Sequence, residues 1–260
     1  MRHNNSSGLL IFIVAVISLV AGSAVTALYM GKGSAGAVAS GGGDIEAAVR
    51  KVLEDKPELI SEAFQKGRAR AQVDQMKKAR ENVSANIDKI EKNDKSPIAG
   101  NPKGDVVVAE FFDYSCGYCK HAVAEVVKLL EEDKNVKFVF KDYPILGPGS
   151  ETASRAALAV HVIDPTKYFA YHRALMEFQG QKTEDSVLEV AKKLGLDTAK
   201  IKETMKGAQV TELLQANTEL GHSIGVNGTP AFIINGELVP GAMSVQDMKT
   251  MIAEARKKKS

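Results

Sequence analysis

One short stretch, residues 106–120, narrows what this chain can fold into more than any other: Val-Val-Val-Ala-Glu-Phe-Phe-Asp-Tyr-Ser-Cys-Gly-Tyr-Cys-Lys. Residues 106–112 are apolar on both alternating faces except at Glu110, the pattern of a central strand covered on both sides. Cys116 and Cys119 follow, and a helical spacing then runs through Val123, Val126, Val127 and Leu130. A strand leading into C-x-x-C at the opening of a helix places the first thiol where unpaired backbone N–H groups and the helix dipole favour a thiolate. The second thiol, one turn on, is within reach to attack a mixed disulfide formed by the first. Residues 136–141 read as a further strand and close a β-α-β unit. The chain has only 2 cysteines. No framework of several disulfides staples the fold, so the chemistry of this one pair must account for both.

A hydrophobic content of 44% and a charged content of 25% fit an ordinary folded protein, as one large domain or a domain with appendages. Lys plus Arg (34) nearly cancels Asp plus Glu (32), which argues against nucleic acid as the main partner. Residues 4–31 carry no charge, and residues 9–30 are almost wholly apolar. At about 1.5 Å per helical residue, that run matches a hydrocarbon core of about 30 Å and exceeds the usual signal-peptide h-region. Arg2 precedes it, which favours a cytoplasmic N-terminus and an exported body. The preferred reading is an uncleaved inner-membrane anchor. Small residues at Val25-Thr26-Ala27 and Ala37-Val38-Ala39 leave a removed signal open. A Gly/Ser/Ala linker completes this first segment, residues 1–43, and in either case the body is periplasmic or extracytoplasmic.

Residues 44–96 read as a helical stalk. Asp44 is a candidate N-cap, and Ile45, Val49, Val52, Leu53, Leu59, Ile60, Ala63 and Phe64 recur at helical spacing, with Pro57 suiting the first turn of a second helix. Val73, Met76, Val83, Ile87 and Ile90 fall at heptad-like steps if Arg80 takes one seam position. Self-association through residues 44–93, as a homodimer or homotrimer, is preferred over a helix packed back on its own domain. Prolines and glycines in residues 96–104 mark a hinge into the domain that follows, residues 97–260. Within it, residues 153–162, 168–178, 187–194 and 201–220 have helical spacing and build an all-helical stretch over about residues 147–221. Asn235-Gly236 signals a tight hairpin between strands at 231–234 and 237–239. Ser244 caps a last helix through residue 255, and residues 256–259 read as a solvated tail. His161, His172 and His222 stand on separate segments and His121 reads as a solvated helix position, so a zinc site lacks clustered ligands. Met205, Met243, Met248 and Met251 read as core filling.

Residues 110–120 resemble the active-site segment of the DsbA superfamily of thioredoxin-fold oxidoreductases. Residues 225–232, Gly-Val-Asn-Gly-Thr-Pro-Ala-Phe, resemble the loop that carries the family's cis-proline. Residues 140–145 and 153–159 look more loosely like its second strand and the start of its inserted helices. The helical extension, with its Lys56-Pro57-Glu58-Leu59 stretch, is similar to the oligomeric, ScsC-like branch. The resemblance implies an α/β thioredoxin fold with an inserted all-helical domain and no cofactor. It makes Cys116 the surface nucleophile and Cys119 the buried resolving thiol. Thr229 and a cis Pro230 would hold extended substrate backbone beside them. Glu110 matches the family's buried acid; a carboxyl on an apolar strand face has a raised pKa and could relay the Cys119 proton, the alternative being a strand-end glutamate that reaches water. Gly117 and Tyr118 stand where strongly oxidising members carry Pro-His, so the imidazole that helps stabilise the thiolate there is missing. The implied activity is formation, with isomerisation, of disulfides in cysteine-bearing substrate proteins, with a redox partner resetting the pair. The alternatives are a Cu(I)-binding or copper-stress-related thiol protein, since soft thiolates favour Cu(I), and a stalk protein whose thioredoxin-like domain only binds.

Overall fold

The two strands that flank the C-x-x-C helix set the frame. In the computed structural model, which describes residues 41–92 and 95–259, β1 (Ile98–Gly100), β2 (Val106–Phe112), β3 (Val136–Asp142), β4 (Ala231–Ile234) and β5 (Glu237–Pro240) form one sheet in the order β1-β3-β2-β4-β5. β2 and β3 are parallel, with Glu110 opposite Phe140 and Phe111 opposite Lys141; every other pairing is antiparallel. The antiparallel pair β4 and β5 turns through Asn235 (φ 55°) and Gly236 (φ 75°), the left-handed pair that a tight hairpin requires. The apolar run at 9–30 and the linker as far as residue 40 lie outside the described residues. Among the described residues, no helix is long and apolar enough to cross a membrane.

Period-two alternation gives the sheet two covered faces. On one, Val106, Val108, Phe112, Phe138, Phe140 and Phe232 meet α4 (Gly117–Glu132), α10 (Val245–Lys259) and the helices inserted between β3 and β4. Those are α5 (Pro148–Ile163), α6 (Tyr168–Glu177), α7 (Glu184–Lys193), α8 (Thr198–Thr204) and α9 (Ala208–Ile224). On the other face, Ala109, Phe111, Val139 and Ile233 pack with Tyr143, the last turns of α9, and residues that precede the sheet. At Gly221 a Cβ would lie 2.6 Å from the Tyr143 ring, so α9 closes on this face only because the position is glycine. This is a thioredoxin fold with a helical insertion.

The chain divides into two units, residues 1–69 and 70–260. In the first, α1 (Gly41–Asp55) and the opening turns of α2 (Glu58–Ala85) are separated at Pro57. α1 begins at Gly41, so Asp44 lies inside the helix and is not its cap. In the second unit, the heptad-like spacing splits. Val73 (63% exposed) and Met76 face solvent, whereas Val83 on α2 and Ile90 on α3 (Ile87–Glu91) are fully buried on the sheet, with Ile87 packed beside them. Arg80, placed in the seam by spacing, instead pairs with Glu237 at 2.8 Å. Val83 and Ile90 therefore pack on their own domain, whose sheet covers them with the apolar face of Ala109, Phe111, Val139 and Ile233.

Lys137 and Lys141 of β3 point to that same face. Lys137 Nζ donates to the Glu91 carbonyl (2.7 Å) and Lys141 Nζ to the Lys89 carbonyl (2.9 Å) and Ser96 Oγ (2.8 Å). They satisfy carbonyls that the end of α3 leaves free. Three other expectations change. The stretch read as a hinge contains strand β1, the helix expected over 201–220 breaks at Gly207 into α8 and α9, and α10 runs on to Lys259. Its Arg256 is no solvated tail residue, since it is held by paired contacts of 2.8 to 3.0 Å to Asp105 and Asp133.

Candidate active site

Cys116 is the N-cap of α4, extended in backbone (φ −75°, ψ 120°), and Cys119 sits on the helix's first turn facing the sheet. Both thiols are free. Cys119 is fully buried, and Cys116, read from the sequence as a surface nucleophile, is only 7% exposed. What covers it is the 225–230 loop: the Cys116 thiol donates to the Thr229 carbonyl at 3.2 Å, and the Thr229–Pro230 bond is cis. Between the cysteines, Gly117 faces open space, and the Tyr118 ring stands out into solvent. A groove of about 610 Å³ opens from Thr229 and Pro230 between Met76 and Arg80 of α2 and Leu238 of β5.

Beneath the thiols, Glu110 is flanked by Phe140 and Phe232 on the neighbouring strands and is 1% exposed. Among the described residues its Oε1 has no hydrogen-bond partner. Burial, reinforced by Cys116, pushes its pKa up to about 8, so the carboxyl holds its proton at neutral pH. Burial raises the Cys119 thiol well above its ordinary value, and the charge of Glu110 raises it further. A carboxyl that carries a proton at pH 7 below a thiol that resists losing one can exchange a proton with it.

Asp113, three residues on, has the opposite environment. Its Oδ1 accepts from the Ser115 N–H (2.7 Å) and Ser150 Oγ (2.6 Å), and its Oδ2 accepts from the N–H groups of Ile145 (2.8 Å) and Leu146 (2.9 Å). It ties the motif loop to the segment after β3 and to the start of α5. Sequence reading passed over it, although an aspartate two residues before a small polar residue at a strand-to-helix turn is an Asx-turn signal. Also missed was a buried polar chain beside the motif. The Tyr114 hydroxyl lies 3.0 Å from Nδ1 of His172, whose pKa burial lowers to about 3, so the ring is neutral. The Tyr168 hydroxyl approaches Asp142 (3.5 Å), a carboxyl that burial raises to about 8. His121 is exposed on α4. Among the described residues, no three His, Cys, Asp or Glu side chains cluster as a metal site.

A family model described as a DSBA-like thioredoxin domain matches residues 107–253. The chain belongs to that family. The DSBA-like domain is similar to a thioredoxin-like oxidoreductase of Silicibacter pomeroyi DSS-3, at 42% identity and a TM-score of 0.63 over 65% of this chain and 97% of that one. It is also similar to Proteus mirabilis ScsC in a compact conformation, at 28% identity and a TM-score of 0.62 over 83% of this chain and 98% of that one. Disulfide bond formation protein D of Bacillus subtilis is 27% identical over 173 residues, 63% of this chain and 78% of that protein. The chain spans only 25% of the length of the Na(+)/H(+) antiporters of Salinispora that it also matches. The match to the DSBA-like domain takes in β2 through most of α10, and so includes both cysteines, Glu110, Thr229 and Pro230.

Proposed function

We propose that this chain is an exported thiol–disulfide oxidoreductase that forms and isomerises disulfides in cysteine-bearing polypeptides. The observation that carries the reading is the unpartnered Glu110 oxygen buried under two free thiols, the outer of which is held against the Thr229 carbonyl. In oxidation, a substrate thiolate attacks Cys116 Sγ of the Cys116–Cys119 disulfide, forming a mixed disulfide and expelling the Cys119 thiolate. Glu110 gives that thiolate its proton. A second substrate thiolate then attacks the substrate sulfur of the mixed disulfide, leaving a substrate disulfide and the Cys116 thiolate. In isomerisation, the Cys116 thiolate attacks a substrate disulfide, the freed substrate thiolate attacks another, and the last exchange returns Cys116. Where that exchange stalls, Cys119 attacks Cys116 Sγ, forming the Cys116–Cys119 disulfide and expelling reduced substrate, while Glu110 relays the Cys119 proton to the departing substrate thiolate. Thr229 and Pro230 carry extended substrate along the groove they line. A redox partner resets the pair.

Export follows from the apolar run at 9–30, read as an anchor in the inner membrane, with the body on the extracytoplasmic side. Self-association is supported by apolar side chains left in solvent on the first unit: Val49, Val52, Leu53, Ile60 (55% exposed) and Phe64 (64%). Several active sites around one space would suit isomerisation. The deciding experiment is recovery of activity from scrambled, fully oxidised ribonuclease by the reduced protein, with Cys116→Ser as control. Cys116-dependent recovery is expected. If the protein oxidises reduced ribonuclease but fails to recover the scrambled form, the isomerase part is wrong; if it does neither, the activity itself is wrong. Paired Ile60→Lys and Phe64→Lys changes should turn the oligomer into a monomer by light scattering, and an unchanged mass would remove the self-association.

A further inference from the structure

A second cavity, of about 550 Å³, opens on the active-site motif and shares no lining residue with the groove beside Thr229. Ser115, Lys120, Thr152, Gln181 and Lys182 supply most of its polar wall, and the first turn of α5 borders it at Pro148 and Gly149. Among the described residues, no acidic side chain lines it. It is built around a lysine that ordinary surface placement does not explain. Lys182 is 7% exposed, with its ammonium open to the cavity, and among the described residues that ammonium makes no ion pair and no hydrogen bond. Its one close companion is the Phe178 ring, 5.9 Å away. That ring is folded back over Gly180, where a Cβ would lie 2.5 Å from it. On the other side the segment lies against α5, where a Cβ on Gly149 would sit 3.4 Å from the Lys182 carbonyl. The 178–182 segment thus packs on its own Phe178 ring and lies against the start of α5.

The charges around it do not cancel. Lys120, one residue past Cys119, lines the same cavity and repels Lys182. The acid that attracts Lys182, Asp113, is already committed to four donors. Glu151, on the first turn of α5, is taken by Arg155 at 2.8 Å. Partial burial without a counter-ion disfavours the Lys182 charge, and the second cation in the same cavity disfavours it further. An incoming anion would relieve both, with the N-terminus of α5 contributing.

We propose that Lys120 and Lys182 form a carboxylate-binding subsite, which holds an acidic group carried by the thiol or disulfide that reacts at Cys116. This rests on the exchange chemistry proposed above and adds a preference for anionic partners. It is tested with the reduced full-length protein and two aromatic disulfides. One is 5,5′-dithiobis(2-nitrobenzoate), with a carboxylate on each ring; the other is 4,4′-dithiodipyridine, which is neutral. With either, the Cys116 thiolate forms a bond to one probe sulfur and expels the other half as a thiolate. Cys119 then attacks Cys116 and expels the second half, so the probe is reduced by two electrons as the cysteine pair is oxidised.

The readout is the ratio of the anionic to the neutral rate constant, because removing a lysine near Cys116 alters the nucleophile equally for both probes. Lys120→Gln and Lys182→Gln are each expected to lower that ratio about tenfold, with Lys182→Arg restoring it. In the unmodified protein, added salt should lower the ratio as well, a readout that does not depend on any variant folding. A ratio unmoved by salt and by either substitution overturns the subsite while leaving the exchange chemistry intact. Failure of the unmodified protein to react with either probe in a Cys116-dependent way would instead overturn the oxidoreductase reading. Peptide disulfides with Glu or Gln beside the cysteine, compared with oxidised glutathione, then tell the source. A gain for Glu assigns the subsite to acidic polypeptides, and a gain confined to glutathione assigns it to a small-molecule partner.

Discussion

Glu110 and Lys141, buried on opposite faces of the sheet, are treated in opposite ways. On the face below α4, Glu110 has an oxygen with no partner; on the other face, Lys141, opposite Phe111 on the next strand, has two acceptors for its ammonium. Burial shifts both, the carboxyl up to about 8 and the lysine down to about 8. The surroundings separate them. Lys141 closes the carbonyl end of α3 and fastens residues 87–96 to the sheet, so its charge has a structural role. Glu110 fastens nothing and sits next to two thiols. Burial alone does not mark a reactive group; burial without a partner, next to a group that must exchange a proton, does.

The largest expected effect tests whether chemistry belongs to the first face at all. Cys116→Ser should remove all measurable thiol–disulfide exchange while leaving the thermal unfolding midpoint close to that of the reduced protein; residual exchange would break the comparison at its base. Glu110→Gln comes next. It should slow the step that protonates or deprotonates Cys119 by about a hundredfold, read as decay of the mixed disulfide in rapid-mixing experiments. The same substitution has a stability signature. Because the folded carboxyl keeps its proton up to about pH 8 while the unfolded one loses it near 4.5, the unmodified protein loses stability as pH rises through that window. Asp142, also raised to about 8, contributes in the same direction. Glu110→Gln should remove roughly 3 kcal/mol of that slope in denaturant melts taken at pH 5 and pH 8, leaving the share due to Asp142.

On the other face, Lys141→Met should cost about 2 kcal/mol of folding stability, since it leaves the Lys89 carbonyl and the Ser96 hydroxyl without a donor, and should change exchange rates less than about twofold. Its pH signature has the opposite sign. The folded lysine gives up its proton near 8 and the unfolded one near 10.5, so stability rises with pH through that interval and the variant should lack the rise. If Lys141→Met slowed exchange as much as Glu110→Gln does, the division between a reactive and a structural face would fail. The smallest effect is expected at the surface. Arg80→Ala breaks the exposed pair with Glu237 and should cost less than about 1 kcal/mol, showing that α2 and α3 are held to the sheet by the buried lysine and not by the ion pair.

Legibility in the sequence followed the range of the interaction. β2, α4 and β3, the Asn235-Gly236 hairpin and most of the inserted helices were readable, because period, turn chemistry and a nearby motif are local. Ser244 was readable as the cap of α10 for the same reason, and it does accept from the Asp247 N–H. Val83 and Ile90 were misassigned to a seam because helical spacing identifies an apolar stripe without saying what covers it. Asp113 was quoted as part of a motif, but three of its four donors, from Ile145, Leu146 and Ser150, lie more than thirty residues away in sequence.

What the sequence determined by itself is therefore the reactive pair and the local geometry that serves it: two cysteines at a helix start, a strand before them, and a Thr-Pro loop to close over them. The tertiary structure alone decided which acid lacks a partner, which lysine is fastened and which is left without a counter-ion, and where the stalk-like helix turns back onto the sheet. Desolvation and pairing decide each of these. Both depend on groups that only the folded chain brings together, and spacing along the sequence carries no record of them.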